Sequence, residues 1–395
     1  MMKSVQIITL FILFMGILPN GWALSTGGTN DKGGKVTQSN FQELPTWALG
    51  RFVRPEKGNP VIEPNSESTF FCPMYKSDVK WEESDTFNPC AIVKDNKINV
   101  LYRAEDNTTQ GIGLRTSRIG LAVSKNGLKM KRFPSPIFHP GEDNMKAYEW
   151  PGGCEDPRIV VSEDGTYVMT YHAWDRKLSR LCVATSKDLK TWVKHGHVFQ
   201  KAYDGKFTTM WTKATSIVTK IVNSKMVATK INGKYFMYWG EHTVYAAYSD
   251  DLINWTPVVD NDGNLKVMIK PRDGYFDSHL TECGPPALLT ENGIVLIYNG
   301  RNSKEENRDK RFVAGTYSAG QALFDAEDPT ILLGRLDVPF FKPEADCEKS
   351  GQYVEGTVFV EGLVFFMNKW YLYYGCADSK VGVAIYDPNN SEGNY

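Results

Sequence analysis

Five short strand-like runs of mostly apolar positions end on an aromatic residue: KINVLY (97–102), TYVMTY (166–171), KYFMYW (234–239), GIVLIY (293–298) and KWYLYY (369–374). Short runs rich in Val, Ile, Tyr and Phe and bounded by turn residues read as strands. A short apolar run precedes each, and most are followed by a small-residue run such as IGLAVS, LCVATS, VYAAYS or FVAGTYS. Between first and second runs stand DN, EDG, NG, ENG and MNK, which supply hairpin turn residues. The aromatic ends Tyr102, Tyr171, Trp239, Tyr298 and Tyr374 recur every 59 to 76 residues. Repeats of this size in strand-only units predict an all-β fold, a five-bladed β-propeller with an N-terminal extension, whose chemistry sits where the blades meet at the axis. No helical period is sustained, which argues against an α/β barrel.

Outside the repeats, residues 1–25 run from MMKS through VQIITLFILFMGIL to PNGWALS. A basic start, a short apolar core and small residues before a polar stretch predict a cleaved signal peptide. The apolar core is shorter than the roughly 20 residues needed to span a bilayer, so no stable membrane insertion is expected. The first cysteine is Cys72, too distant from the cleavage region to accept a lipid, and the expected location is the periplasm. Residues 26–85 read as a flexible Gly/Ser/Asn-rich leader followed by an extension that packs on the propeller and lends a strand to its last blade. The catalytic propeller is expected over 86–395.

Charge and cysteines narrow the chemistry. With 45 basic and 46 acidic residues there is no net field to gather nucleic acid. Seven cysteines without a CxxC pair, and no histidine at ligand spacing, predict neither a zinc site nor a full disulfide framework. They read as buried thiols, with room for one or two disulfides. No metal or other cofactor is expected.

Placed in register, the repeats bring polar residues to equivalent positions. At the heads of the first strands stand Asn88, Asp156, Lys225, Glu282 and Glu355, with KMVATK taken as the first strand of the third repeat. Just past the second strands stand Arg103, Glu105, His172, Asp175, Glu241, Arg301 and Asp378. Carboxylates, Arg and Lys converging on one mouth make a polar pocket suited to binding and protonating a sugar.

These residues resemble glycoside hydrolase family 130, five-bladed propellers that act on β-mannosides as phosphorylases or hydrolases. The resemblance spans about residues 86–390 and rests on FNPCAI with LYRAED, GGCEDPRI, the NGKY strand, ECGPPALLT, ALFDAEDP and YYGCAD in that order. It implies that Asp156, in the EDPR motif, is the catalytic acid, passing its proton through a sugar hydroxyl. An acid in that role should be partly desolvated with a raised pKa. The resemblance further implies that Asn88, Arg103, Asp156 and Asp378 surround the non-reducing mannose, with Arg158, Lys225 and Glu105 as supports. Arg158 and Glu105 could instead form a buried ion pair. Trp150 and Trp174 are candidate walls for a second sugar.

Phosphorylases of that family carry a His-Arg pair at the end of the third repeat's second strand, whereas this chain has Gly240-Glu241. A carboxylate there repels phosphate and can deprotonate water. Together with Glu282 this resembles the family's hydrolase branch, which cleaves β-1,2-mannosides with inversion. The expectation is therefore an exported inverting β-mannosidase acting on a mannose-containing oligosaccharide, with Asp156 facing Glu241 and Glu282 across one pocket. A phosphorylase and a non-catalytic glycan-binding propeller are the alternatives.

Overall fold

The computed structural model describes residues 43–390. The expected signal peptide, the first part of the leader and residues 391–395 lie outside the described residues. Among those described, strands dominate, with one short helix, Lys146–Glu149, and two 3-10 turns.

The strands form five successive antiparallel groups. The first comprises Asp85–Lys94, Lys97–Glu105 and Ser117–Ser124, and the second Gly153–Val161, Tyr167–Trp174 and Ser179–Ser186. The third comprises Thr215–Val222, Lys234–Trp239 and Val244–Ser249. In the fourth a broken first strand, Leu280–Cys283 and Ala287–Thr290, pairs with Gly293–Arg301, which pairs with Tyr317–Phe324. The fifth is Val358–Phe366, Lys369–Cys376 and Lys380–Tyr386. Short parallel pairings join neighbours: Ser117 with Gly153, Val161 with Val227, Val218 with Ala287, and Tyr317 with Thr357. Group five meets group one where Thr86 N–H donates to Ser379 O at 3.1 Å.

The repeated aromatic ends have a common job in four groups. Each tyrosine hydroxyl donates to a carboxylate from the segment just upstream of its group, and each carboxylate also binds a cation. Tyr102 binds Glu82 at 2.7 Å beside Arg132; Tyr171 binds Glu149 at 2.8 Å beside Lys194. Tyr298 binds Asp277 at 2.7 Å beside Arg335 and Arg272; Tyr374 binds Glu348 at 2.7 Å beside Arg54. A hydroxyl buried with its carboxylate and the counter-cation satisfies every charge without water. The third-strand partner of the tyrosine is glycine at Gly120, Gly320 and Gly382, where a Cβ would sit 2.5 Å from the ring. Group three departs from this plan: Trp239 takes the place of the tyrosine and donates to Ala246 O at 3.1 Å.

The third group also begins earlier than its sequence suggests. Its first strand is Thr215–Val222, and Lys225–Ala228 folds back on it through Asn223 and Ser224, both in the left-handed region. Lys225 is thus exposed at a hairpin end, far from a strand head. The head is Lys213 instead. Glu355 likewise falls in the loop before its strand, paired with Lys304.

The extension pairs its backbone with group five at two points, without building a full strand. Val53 and Ile385 exchange both backbone bonds at 2.8 Å, and residues 61–62 pair with Val381. All seven cysteines are free thiols, six buried and Cys347 half-buried.

Candidate active site

Two bulges aim side chains at the same space. At Asn88 and at Asp156 the first strand skips register and the residue takes φ 45°. Asn and Asp tolerate this left-handed geometry better than other side-chain-bearing residues, and the proline that follows each cannot donate to a ladder bond that the bulge already breaks. Both side chains therefore leave the sheet and meet: Asn88 Nδ2 donates to Asp156 Oδ1 at 2.9 Å.

They line an open cavity with Arg103, Glu155, Trp174, Trp211, Lys213, Glu241, Glu282, Tyr353 and Asp378. Arg103 organises one wall. Its guanidinium bonds Glu105 at 2.6 Å, Glu155 at 2.7 Å, Asp156 at 3.0 Å and Ser117 Oγ at 3.0 Å, and its plane stacks on Phe87. Lys213 organises the other, with Nζ 3.5 Å from Asp156 Oδ2 and 4.0 Å from Glu241 Oε1. Those two carboxylate oxygens are therefore no more than about 7.5 Å apart, the two distances laid end to end. Trp211 Nε1 donates to Glu241 Oε2 at 2.7 Å and packs edge-on against Trp174.

The carboxyl groups separate into two electrostatic kinds. Burial alone would raise Asp156, but Arg103 and Lys213, with His172, hold it well below the usual carboxylate range. Glu241 is also pushed up by burial and brought lower by Lys213 and the Trp211 N–H. For Glu282 burial wins over Lys213 and lifts it to about 8; burial lifts Asp378 and Glu155 to about 7 against the pull of Arg103. The expected raised pKa of Asp156 is thus overturned in the ligand-free protein, because two cations contact a carboxylate that the sequence reading treated as merely desolvated. Glu155 and Asp156 nonetheless lie together, each with an oxygen within 4.8 Å of the other, and burial holds Glu155 up while Asp156 stays low.

Four buried oxygens on the cavity wall have no protein partner among the described residues: Asn88 Oδ1, Glu282 Oε1, Thr357 Oγ1 and Asp378 Oδ1. Buried polar atoms of this kind call for a ligand rich in hydroxyls. Glu155, Asp156 and His172 have ligand atoms close enough for a metal ion, yet Arg103 and Lys213 already place two positive charges against these carboxylates, so the donor set does not suit a further cation.

Six residues of the sequence reading, Asn88, Arg103, Asp156, Glu241, Glu282 and Asp378, meet in this cavity, and Trp174 joins them. Others do not. Arg158 lies beneath, its guanidinium taken by Asp156 O, Cys283 O, Gly284 O and the Glu361 carboxylate at 2.9 Å. Glu105 braces Arg103 from behind, so the anticipated Arg158–Glu105 ion pair is replaced by two others. Trp150 packs on Tyr75 instead of walling the cavity. Lys213 and Trp211 were missed, although the W-T-K run just before the strand-like stretch TSIVTKIV was their signal.

The family model for beta-1,4-mannooligosaccharide phosphorylases, Glyco_hydro_130, matches residues 60–390. A 1,2-beta-oligomannan phosphorylase of Thermoanaerobacter sp. (strain X514) is 31% identical over 318 residues, 79% of this chain and 93% of the relative. The chain belongs to glycoside hydrolase family 130. Among solved family 130 structures, one is described as "The GH130 family of mannoside phosphorylases contains glycoside hydrolases that target beta-1,2 mannosidic linkages in Candida mannan". It is 58% identical with a TM-score of 0.88, covering 89% of this chain and 98% of its own. A glycosyl hydrolase from Bacteroides ovatus is 60% identical with a TM-score of 0.86, covering 88% and 96%. The protein is thus a family 130 enzyme acting on mannosides.

Proposed function

We propose that this protein is an exported, inverting hydrolase that releases mannose from the non-reducing ends of β-1,2-linked mannosides. The five antiparallel groups are read as the blades of a five-bladed propeller, and residues 1–25 as a cleaved signal peptide that delivers the chain to the periplasm.

One observation carries the choice of water over phosphate. The cation nearest Glu241 is Lys213, and its charge is already claimed by Asp156 and Glu241. A phosphate dianion needs uncommitted positive charge. Here the ionised Asp156 and Glu241 balance Arg103 and Lys213, leaving no surplus. An ionised Glu241 held by Trp211 and Lys213 is, by contrast, well placed to take a proton from water. Its separation from Asp156 is compatible with the roughly 6.5–9.5 Å typical of inverting carboxyl pairs. On this reading the Glu155–Asp156 pair supplies the proton to the leaving oxygen, by way of a sugar hydroxyl, and Glu282, neutral at pH 7, hydrogen-bonds the attacking water. Identity of 58–60% to the two structures described as hydrolases, against 31% to the curated phosphorylase, supports the same choice.

The test is product analysis on mannobioses of defined linkage with and without phosphate. Free mannose, first formed as the α anomer and at a rate indifferent to phosphate, is the expected result. Mannose 1-phosphate among the products overturns the hydrolytic reading, which the phosphorylase activity of the curated relatives makes the outcome to exclude. Asp156→Asn should bind substrate without turning it over; an unchanged rate would remove Asp156 from the chemistry, and absence of turnover in the parent would favour a glycan-binding role.

A further inference from the structure

Asp156 Oδ1 is engaged by Asn88 and Arg103, whereas Oδ2 faces Lys213 and one imidazole. His172 is fully buried on the second strand of group two, directly across from Glu155 in the sheet register. Its Nε2 accepts the Ala214 N–H at 2.7 Å. A ring nitrogen that accepts from a backbone N–H carries no proton, so in the neutral ring the proton sits on Nδ1. Nδ1 lies 3.2 Å from Asp156 Oδ2, an electrostatic contact whose angle falls short of a formed hydrogen bond. His172 does not line the cavity.

Ala214 is itself unusual. It holds φ 47°, a left-handed conformation that a residue with a Cβ seldom adopts. The strained turn directly follows Lys213, and the Gly240 N–H donates to Lys213 O at 2.9 Å and to Ala214 O at 3.1 Å. Glu241 is the next residue. A continuous path therefore runs from the Asp156 carboxylate through the imidazole to the Ala214 N–H, and from the same peptide through Gly240 to Glu241.

We propose that His172 is a positioning residue: a Nδ1-protonated strut that ties Asp156 of group two to the Lys213–Ala214 turn of group three, and so fixes the separation between Asp156 and Glu241. The inference rests on the reading of Asp156 and Glu241 as the proton-transfer carboxylates. A neutral ring suits the role, since an imidazolium would lose the Ala214 bond. Burial, opposed by Asp156 and assisted by Lys213 and Arg158, keeps it neutral down to about pH 4. The charged groups facing it are Asp156 and Glu155 from its own sheet and Lys213 and Glu241 from the next, with Arg158 behind.

The native protein tests this directly. With ¹⁵N-labelled histidine, the ring shifts of His172 should report the Nδ1–H tautomer, unchanged between pH 5 and 8. An Nε2–H tautomer, or an imidazolium in that range, overturns the proposal. Two variants then divide the strut. His172→Asn keeps a donor toward Asp156 but cannot reach Ala214, and His172→Gln keeps an acceptor for Ala214 but has none of the ring's reach to Asp156. Each should lower kcat about 10- to 100-fold, the scale of a misplacement near 1 Å, with KM changed less than threefold. The acid limb of the kcat/KM profile should shift as Asp156 loses a partner. Folded variants that keep kcat and pH profile within twofold of the parent overturn the proposal. Variants that do not fold leave the tautomer measurement to decide. Full activity of Asp156→Asn would instead strike the reading of the active site and leave the tautomer result standing.

Discussion

Groups two and three are built to the same strand plan but use their second strands differently. In group two the strand end is anchored, Tyr171 onto Glu149 and Lys194, and the catalytic candidate Asp156 emerges from a bulge in the first strand. In group three the anchor is missing. The segment that elsewhere brings the anchoring carboxylate brings Trp211 and Lys213 to the cavity, and the strand that elsewhere ends on a tethered tyrosine ends on Trp239, Gly240 and Glu241. The difference teaches that the repeat is a stabilising device which one copy has surrendered to the site. Polar groups committed to a ligand cannot also satisfy one another, and the unanchored copy is where that exchange is visible.

The comparison is most open to attack at Glu241. Glu241→Gln should lower kcat/KM by about 10²- to 10⁴-fold, the usual worth of a general base, while the thermal midpoint moves little. A variant that keeps its rate but melts early would make group three another structural copy. The converse change is Tyr298→Phe in group four, which strips the Asp277–Arg335 cluster of its hydroxyl. It should cost about 1.5–3 kcal/mol in denaturant unfolding with kinetics unchanged, since a hydrogen bond to a charged group is lost in the interior. Gly320→Ala probes the same anchor sterically, because the new methyl would meet the Tyr298 ring at 2.5 Å and Phe276 at 2.7 Å. A cost of about 1–3 kcal/mol is expected from urea titration.

The smallest effect should come from Glu282→Gln, read as the thermal midpoint at pH 5, 6.5 and 8. The folded protein keeps the Glu282 proton up to about pH 8, whereas an unfolded glutamate loses it near 4.5. The native state thus binds more protons across that window, and stability falls as pH rises through it. The amide cannot ionise, so the variant should lose less stability between pH 5 and 8 than the parent. Asp378 and Glu155, lifted to about 7, sustain the rest of the decline up to about that pH. An identical pH dependence in both proteins would mean that Glu282 is ionised when folded.

Strand-like runs and turn residues made the all-β plan readable, and Asn-Pro and Asp-Pro at the heads of two first strands made Asn88 and Asp156 conspicuous. Lys225 was misplaced because a hairpin extension, KMVA after Asn223-Ser224, reads like a first strand. Periodicity cannot tell a strand from its folded-back partner. The tyrosine anchors were illegible for another reason: their carboxylates and cations sit on short elements and loops outside the three repeated strands, up to 294 residues apart for Arg54 and Glu348. The low pKa of Asp156 depended on Arg103 and on Lys213, and the approach of Lys213 follows from a left-handed alanine that composition does not announce.

Arg54, on the extension, is the cation of the last anchor, and Val53 beside it pairs with Ile385 near the chain's far end. A polypeptide made from its N-terminus onward therefore holds one half of its final fastening from the start and waits for the other. Until residue 385 has been synthesised the fifth sheet has no closed edge. Removal of residues 43–54 should leave a chain that starts to fold at the usual pace but stays open to proteases at its C-terminal strands.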